Sequence, residues 1–396
     1  MTHTMPVASL IRLIEFWTLH LAAGFYGIAQ EGSLEKTLCV GSTLWKNWRN
    51  IMTARKTIRL QRFVLIILLV SIFPAICGGC NRKTTGMVMV DNKTYCYDTD
   101  GNLVKGAFVE GDHDDSIEQY DIWYFSRVNG VGSKFSVSRV TEHITAIVEP
   151  SSPVIYVIEG ADSALVVDAG TGVGNLSELV NLITDKPYLI WLTHGHIDHI
   201  GGAYTAECDL YLNTLDLSIE ELATNSARSA YTKARGANAI DSTDLAEYKN
   251  INYLPLKAGD TIDLGGYTVE AFFLGGHTAG HMAFLCVEDR ILISGDAANP
   301  EVKLNSSGSI SVEAYLNNLL EIKKSDERWD TLLTSHTKYN AFGKLLIDDL
   351  ISVCQEVVDN GGCLEEVCQD EAAGLYKTAV TGSKAQIIYY KSAIYG

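Results

Sequence analysis

The sequence predicts an α/β protein in which two β-sheets lie between two layers of helices, a four-layer αββα sandwich with an N-terminal β-hairpin extension. First, short β-branched and aromatic runs alternate with runs of helical spacing from about Tyr120 onward. Second, several strand-like runs end in histidine or aspartate, as in α/β folds whose sites lie at strand ends. Third, the chain has 396 residues, 47% of them hydrophobic, which is enough for one large domain.

The N-terminal part carries the pattern of a secretory signal at residues 52–80. A basic run precedes the apolar stretch Phe63–Ile76, and two glycines precede Cys80. The apolar stretch is shorter than the roughly 20 residues that cross a membrane. The ending CGGC resembles a bacterial lipobox, although Cys77 stands where leucine is usual. We therefore expect Cys80 to be the lipid attachment site. The alternatives are an uncleaved anchor, a plain secretory signal or a buried core helix.

This signal pattern opens at Met52 and not at Met1. We expect translation to start at Met52 and residues 1–51 to be upstream sequence, with a poorly ordered extension as the alternative. The signal segment or lipid anchor would connect the protein to the bacterial membrane. The rest of the chain is therefore expected outside the cytoplasm, anchored or secreted, with the basic flank inside.

Residues 81–119 form a predicted spacer before the main domain, residues 120–396. Within it, residues 86–110 contain two β-rich runs joined by the turn sequence DTDGN. The segment resembles one unit of the glycine-punctuated aromatic repeats of cell-wall and choline-binding modules, but such repeats need several stacked copies to bury a core. We interpret it as a spacer hairpin or an added edge of the main domain, and not as a binding module.

The main domain follows as a succession of strands and helices. Its first half predicts strands in IWYFSRV, ITAIVEPSSPVIYVIEG, SALVVDAG and PYLIWLTH, a helix over NLSELVNLIT, and the end of a helix followed by a strand in AYTAECDLYLN. Residues 224–250 are helical or loop-like. The second half predicts hairpins over DTIDLGGYTVEAFFLGGH and MAFLCVEDRILISGDA, and strands over WDTLLTSH and SKAQIIYYKSAIYG. Its helices are SVEAYLNNLLEIKK, with Ser311 as the N-cap, and FGKLLIDDLISVCQEVVDN.

The charge of the chain limits its partners. The net charge is −17, and residues 1–80 contain eight Lys/Arg against three Asp/Glu, so the rest of the chain is strongly acidic. Acidic surfaces repel phosphate backbones. No nucleic-acid partner is therefore expected.

The most informative stretch is WLTHGHIDHIGG, residues 191–202. His194 and His196 lie two residues apart at the end of an extended strand, so both imidazoles can point the same way. Asp198 and His199 follow in the next turn. Four ionisable groups beside a buried strand are costly unless something pairs them. Imidazole and carboxylate are ligands that zinc, iron and manganese accept, so the stretch predicts a metal site.

Three further polar residues end other strand-like runs: His277 in GGHTAGH, Asp296 in LISGDA and His336 in LLTSH. They bring the candidate ligands to seven. The order H-x-H-x-D-H with Gly-Gly, G-H-T-x-G-H, S-G-D and S-H, over about residues 140–340, resembles the motif set of the metallo-β-lactamase-fold superfamily. LVVDAG matches the first motif of that superfamily.

This resemblance implies the αββα fold and two divalent metal ions, with zinc as the first choice and iron or manganese as alternatives. The first ion would be held by His194, His196 and His277. The second would be held by Asp198, His199 and His336, with Asp296 bridging the two ions. Asp168 would be a structural aspartate near the site, and His281 would lie beside the ligands without being one. Ala279 stands where many relatives have proline, which removes no ligand.

The resemblance also implies a hydrolase acting on a small-molecule substrate. A metal-bound hydroxide would attack an ester, thioester or lactone carbonyl, as in the glyoxalase II-like branch, with Asp198 orienting the hydroxide and passing a proton. The alternatives are a β-lactamase, a cell-surface phosphodiesterase of the phosphorylcholine type, redox chemistry at a di-iron centre, and a non-catalytic surface protein stabilised by metal.

Three loops after the metal strands would shape the pocket: Leu212–Asn250, Asn299–Ser309 and Thr337–Lys344. Lys303 and Lys338 could contact an anionic substrate group or be ordinary solvated lysines. Tyr339 is ambiguous in the same way.

Overall fold

The computed structural model describes residues 84–111, 118–220, 222–336, 341–378 and 385–396, all within the compact unit Lys83–Gly396. The predicted upstream extension, the signal segment with Cys80, and Lys338 and Tyr339 lie outside the described residues. Within the described ranges, no helix combines the length and the apolar character needed to cross a bilayer.

The described chain starts with a two-stranded hairpin of β1 (Gly86–Val90) and β2 (Lys93–Tyr97). Its turn is Asp91–Asn92, and both residues have positive φ, as a two-residue hairpin turn of type I′ requires. The sequence placed this turn at DTDGN. That segment instead turns the chain from β2 to Leu103, which forms a single bridge with Tyr97. The next strand, β3 (Ala107–Glu110), joins the edge of the main sheet.

The first main sheet has nine strands in the order β11-β10-β9-β8-β7-β6-β5-β4-β3. β6, β7 and β8 are buried along almost their whole length, because both faces of the sheet are covered at its centre. The strands after β3 are β4 (Gln119–Phe125), β5 (Gly132–Arg139), β6 (Ile144–Val148), β7 (Val154–Glu159), β8 (Ala164–Val167), β9 (Tyr188–Trp191), β10 (Leu210–Leu212) and β11 (Leu254–Pro255).

The second main sheet has six strands in the order β12-β13-β14-β15-β17-β18. β15 and β17 run parallel, so their C-terminal ends lie at the same edge. The strands are β12 (Thr261–Asp263), β13 (Thr268–Phe273), β14 (Met282–Cys286), β15 (Ile291–Gly295), β17 (Thr331–Thr334) and β18 (Ala341–Gly343).

Six α-helices occur in the described ranges. The two longest carry the expected end signals: the Ser311 side chain accepts from Ala314 N, and the last helix ends at Gly361 with φ 67°, the left-handed C-cap that glycine favours. The helices are α1 (Leu176–Asn181), α2 (Ile197–Ile200), α3 (Leu217–Glu220), α4 (Asn225–Ala234), α5 (Val312–Lys323) and α6 (Leu345–Asn360).

Three apolar cores separate four layers, which confirms the predicted sandwich. One core packs the first sheet against α1 and neighbouring turns, and another packs the second sheet against α5 and α6. The third core lies between the two sheets, where Trp191 and Phe284 meet with ring centroids 5.5 Å apart. Each sheet therefore buries both faces, and the strand ends remain as places where polar side chains can meet.

The sequence analysis missed a smaller sheet of four strands in the order β16-β21-β20-β19. Its first strand lies in a segment that was expected to be a pocket loop. β18 likewise occupies the start of a segment predicted as helix, and α6 begins only at Leu345. The strands are β16 (Glu301–Leu304), β19 (Glu366–Asp370), β20 (Leu375–Thr378) and β21 (Gln386–Tyr390).

Candidate metal centre

The seven predicted ligands lie beyond the ends of four strands. His194 and His196 follow β9, and Asp198 and His199 lie in the single turn of α2. His277 follows β13 of the other sheet. Asp296 and His336 follow the parallel strands β15 and β17. The fold brings all seven together at one edge of the sandwich, where three overlapping groups of possible metal ligands form.

One group consists of His194, His196 and His277. His196 Nδ1 lies 3.0 Å from His194 Nε2 and 2.9 Å from His277 Nε2. His196 Nε2 lies 2.8 Å from the carbonyl of Ser307, and His277 Nδ1 lies 2.8 Å from that of Lys303. A carbonyl only accepts, so both outer nitrogens carry the proton.

The third imidazole of this group, that of His194, is also oriented by a hydrogen bond from its outer nitrogen. The Thr193 hydroxyl lies 2.9 Å from both Asp168 carboxylate oxygens and 2.9 Å from His194 Nδ1. Because that hydroxyl donates to the carboxylate, it accepts from His194 Nδ1. The three inner nitrogens then present lone pairs to one another about 3 Å apart, which suits a cation among them.

A second group consists of Asp198, His199 and His336. Asp198 Oδ2 lies 3.4 Å from His336 Nε2 and 3.7 Å from His199 Nε2. Asp296 Oδ2 is near both groups, 3.0 Å from His336 Nε2, 3.5 Å from His277 Nε2 and 3.7 Å from His199 Nε2. The Asp296 carboxylate therefore lies where a single side chain could bind two ions.

The electrostatics favour neutral imidazoles at His194 and His277 and an ionised carboxylate at Asp296, the protonation states that metal ligands need. Burial lowers the pKa of His277 to about 4 and that of His194 well below its usual value, so both imidazoles are neutral near pH 7. Burial works against charge on Asp296, yet His336 and His199 lower the pKa of that carboxyl well below its usual range. Burial also opposes charge on His199, but Asp198 and other carboxylates raise the pKa of His199. The excess of negative charge at this point calls for a cation.

Unpartnered polar atoms test whether a metal fits. Among the described residues, His199 Nε2, Asp296 Oδ1, His281 Nδ1 and His336 Nδ1 are buried without a hydrogen-bond partner. Each such atom carries a desolvation cost. Three of them belong to residues in the ligand groups, and two of these, His199 Nε2 and Asp296 Oδ1, would be satisfied by coordination to a divalent ion. The residues present therefore fit a metal.

Asp168 and His281 lie against the ligands, outside the ligand groups. Asp168 Oδ2 accepts from His199 Nδ1 at 2.8 Å, and its Oδ1 accepts from Thr193 N at 2.8 Å, so it fixes the His199 ring. His281 stacks on His194 with ring centroids 4.8 Å apart, and its Nε2 accepts from Asp296 N at 3.2 Å.

Two functional residues were missed in the sequence analysis. Buried Asp216 accepts from Gly195 N at 3.0 Å and Gly280 N at 2.7 Å, which ties together the two histidine-bearing loops. Tyr231, on α4, donates its hydroxyl to Asp198 Oδ2 at 2.5 Å. Asp216 follows the end of β10 at the same sheet edge, a signal that could have identified it. Nothing local marks Tyr231.

A second buried polar cluster, which we call the Glu149 network, consists of Glu149, Ser151, Thr171 and Arg228. Glu149 Oε2 accepts from Thr171 N at 2.9 Å, Thr171 Oγ1 at 2.5 Å and Ser151 Oγ at 3.3 Å. Arg228 Nη1 donates to the carbonyl of Thr171 at 3.0 Å. The other nitrogens of its guanidinium donate to Ala223, Asn225 and Ala246.

Three of the candidate metal ligands, His277, Asp296 and His336, line a cavity of about 290 Å³. Lys303 also lines it, whereas Lys338 and Tyr339 lie outside the described residues. The full set of lining residues is Arg235, His277, Asp296, Asn299, Pro300, Glu301, Lys303, Thr334 and His336.

Comparison with known proteins agrees with the family expected from the motifs. Residues 148–207 match the model of the metallo-beta-lactamase superfamily. The chain is 25% identical to an atrochrysone carboxyl ACP thioesterase of Aspergillus fumigatus over 172 residues, 42% of this chain and 46% of that protein. It is 28% identical to a hydroxyacylglutathione hydrolase of Erythrobacter litoralis over 108 residues, 27% of this chain and 33% of that protein. The chain thus spans about half or less of the length of these relatives.

A solved structure also resembles part of the chain. A metallo-β-lactamase from Erythrobacter litoralis covers 56% of this chain and 96% of its own, with 16% identity and a TM-score of 0.40.

Proposed function

We propose that this chain, which carries a metallo-β-lactamase superfamily domain, hydrolyses an ester, thioester or lactone bond of a small molecule with two divalent metal ions as cofactor. One observation carries the proposal. Seven candidate ligands converge at one edge of the sandwich, and three of them, His277, Asp296 and His336, line a cavity. A metal site that faces a cavity is arranged for exchange of ligands, as catalysis requires.

The residues divide into two sets of ligands. His194, His196 and His277 would hold one ion, and Asp198, His199 and His336 the other, with Asp296 between them. When bound, the ions would supply a water that is acidic near neutral pH and a Lewis acid for the carbonyl oxygen. Zinc is the first candidate for these ligands, and iron and manganese accept the same donors.

The remaining chemistry depends on protein groups. Asp198 Oδ2 is the atom that would take the proton of the attacking water and return it to the leaving group. The Tyr231 hydroxyl fixes that oxygen from one side at 2.5 Å. Burial and the Asp198 charge raise the pKa of Tyr231, so the hydroxyl keeps its proton and acts as a donor. Asp168 holds the ring of His199 in one orientation.

The choice of a carbonyl substrate draws support from the relatives. One is named as a thioesterase and the other as a hydroxyacylglutathione hydrolase. Both names describe cleavage at an acyl carbonyl. We transfer this chemical class to the present chain, and leave β-lactams and phosphodiesters as arms of the test.

Export is part of the same proposal. Residues 52–80 carry the basic, apolar and small-residue pattern of a signal, and Cys80 follows two glycines. We propose that Cys80 carries a lipid and holds the hydrolase outside the cytoplasm. Labelling with a radioactive fatty acid in a bacterial host tests this: Cys80→Ser should lose the label, while Cys77→Ser should keep it. Equal labelling of both variants would contradict the lipid assignment.

The activity is tested on the purified full chain by metal analysis and a substrate panel. The panel contains an ester, a thioester, a lactone, a β-lactam and bis-4-nitrophenyl phosphate, each with and without chelator. We expect about two metal ions per chain and chelator-sensitive turnover of an acyl substrate. Preferred turnover of the β-lactam or of the phosphodiester would replace the proposed substrate class, and a chain that takes up no metal would contradict the whole proposal.

A further inference from the structure

The cavity beside the metal ligands has two cations and two carboxylates among its lining residues. The cations are Arg235 and Lys303, and the carboxylates are Asp296 and Glu301. Both carboxylates are already engaged, because Asp296 faces His336 and Glu301 accepts from the Lys377 ammonium. The charges of Arg235 and Lys303 are therefore not balanced by the acidic residues of the cavity itself.

Neither cation forms an ion pair with any residue in the part of the chain that the structure describes. Two other arginines, by comparison, form ion pairs: Arg290 with Asp330, and Arg328 with Glu270. The chain as a whole carries a net charge of −17, so pairing partners are plentiful. Two unpaired cations in one cavity of an acidic protein suit a ligand that brings its own negative charge.

The position of each cation is coupled to a metal ligand. Arg235 directly follows α4, and its guanidinium lies over the Tyr231 ring, 5.1 Å from the centroid. Tyr231 in turn donates to Asp198. On the other side, the backbone carbonyl of Lys303 lies 2.8 Å from His277 Nδ1. Arg235 is thus linked to Asp198 through Tyr231, and the backbone of Lys303 contacts His277 directly, so both cations belong to segments that touch the ligand set.

We propose that Arg235 and Lys303 bind an anionic group of the substrate, a carboxylate or a phosphate. This inference rests on the proposed hydrolase function and names its substrate class as an anionic ester or thioester. A guanidinium binds such groups through two parallel hydrogen bonds, and an ammonium adds a point charge. The segment that carries α4 would then act in substrate selection.

The test compares substrates that differ by one charge. One pair is 4-nitrophenyl acetate and mono-4-nitrophenyl succinate, which adds a carboxylate to the acyl group. The other pair is acetyl pantetheine and acetyl 4′-phosphopantetheine, which adds a phosphate to the leaving group. We expect kcat/KM to favour the charged member of at least one pair about tenfold, mainly through KM, and the preference to fall with added salt. The pair that shows the preference identifies whether the acyl group or the leaving group carries the anion.

Variants assign the preference to the two residues. The double variant Arg235→Gln with Lys303→Gln should reduce the ratio of kcat/KM between charged and neutral members about tenfold. The matched control is Lys233→Gln, which removes an exposed cation of the same helix that does not line the cavity. The control should keep the ratio of the unmodified chain.

Failure of this inference can be told apart from failure of the hydrolase proposal. Turnover of the neutral members without a charge preference, or a preference that survives the double variant, would overturn the inference and leave the hydrolase in place. If no member is turned over, calorimetric titration of the metal-free chain with 4′-phosphopantetheine and with succinate tests the anion site directly. Binding that the double variant loses supports the anion site, and absent or unchanged binding overturns it.

Discussion

The metal centre and the Glu149 network are both buried polar clusters beyond the ends of strands, yet their polar atoms are satisfied in different ways. Four buried atoms at or beside the centre lack hydrogen-bond partners within the described ranges. In the Glu149 network, the guanidinium of Arg228 reaches backbone carbonyls through all three of its nitrogens, and one oxygen of Glu149 accepts three hydrogen bonds. The comparison teaches that buried charge alone does not mark a ligand site; converging imidazole and carboxylate groups with unpartnered atoms do.

The largest effect is expected from a variant that disrupts the metal centre. Asp296→Asn keeps the shape of the side chain but removes the charge that lies near both ligand groups. We expect kcat/KM to fall at least about 10⁴-fold, equivalent to about 5.5 kcal/mol. Ester hydrolysis and elemental analysis on the purified variant measure the loss.

Glu301→Gln is the matched control for that variant. Its carboxylate lines the same cavity but pairs with Lys377. Activity and metal content should stay within a factor of a few of the unmodified chain. A fully active, metal-loaded Asp296→Asn protein would remove Asp296 from the ligand set.

The next largest effect is expected from a variant that disrupts the Glu149 network. Arg228→Met leaves the carbonyls of Thr171 and Ala246 without their donor and leaves buried Glu149 without a nearby cation. The free energy of unfolding should fall by about 4 kcal/mol, while the folded fraction still binds metal. Denaturant unfolding measures the change.

Arg290→Met serves as the control, because its ion pair with Asp330 is at the surface. We expect it to lower stability far less than Arg228→Met does, because an exposed ion pair contributes little. Comparable losses in both arginine variants would mean that the buried network has no special weight in stability.

The third prediction concerns the pH dependence of stability that the Glu149 network produces. Burial raises the pKa of Glu149 to about 7, above the usual 4.5 of the carboxyl. A raised folded-state pKa gives stability that is complete below pH 4.5 and is lost as pH rises through 7. Relative to the unmodified chain, Glu149→Gln should gain about 3 kcal/mol between pH 4.5 and pH 8, because it does not ionise.

Denaturant unfolding across that pH range provides the test of Glu149. Glu247→Gln, which changes an exposed carboxylate, is the control and should run parallel to the unmodified chain. Parallel curves for Glu149→Gln as well would show that Glu149 titrates alike in the folded and unfolded states.

The smallest effect concerns a contact between α4 and the metal centre. Tyr231→Phe removes the donor to Asp198 Oδ2 and leaves the seven ligands in place. We expect kcat to fall about tenfold with metal content unchanged, since partners of this kind orient a ligand without binding the ion. Tyr253→Phe is the matched control. It removes a tyrosine hydroxyl that donates to Glu220, and it should leave kcat unchanged. A change confined to KM would assign Tyr231 to substrate contact alone.

The sequence predicted what depends on local pattern. His194, His196, Asp198 and His199 are neighbours in the chain, and the apolar runs before His277, Asp296 and His336 mark strand ends. The four-layer fold followed from the same runs. These features depend on period-two alternation and on residue spacing, which a single sequence displays directly.

Contacts between distant segments could not be predicted. Tyr231 reaches Asp198, and Arg228 reaches Thr171, only because α4 packs against the turn of α2, and residues 224–250 lack a strong periodic pattern. The four-stranded sheet was missed for a different reason. Four of the five residues of β19 are exposed, so its sequence shows no alternation between apolar and polar positions.

The origin of the ligands in both sheets has a consequence for folding kinetics. His199 lies just after a strand of the first sheet and His336 just after a strand of the second, with more than a third of the chain between them, and both belong to the same ligand group. An ion bound by both would act as a cross-link that closes this long loop, and it could form only after both sheets have paired and packed. Its stabilisation would therefore be absent from the folding transition state. Metal should slow the unfolding of this protein strongly and change its folding rate little.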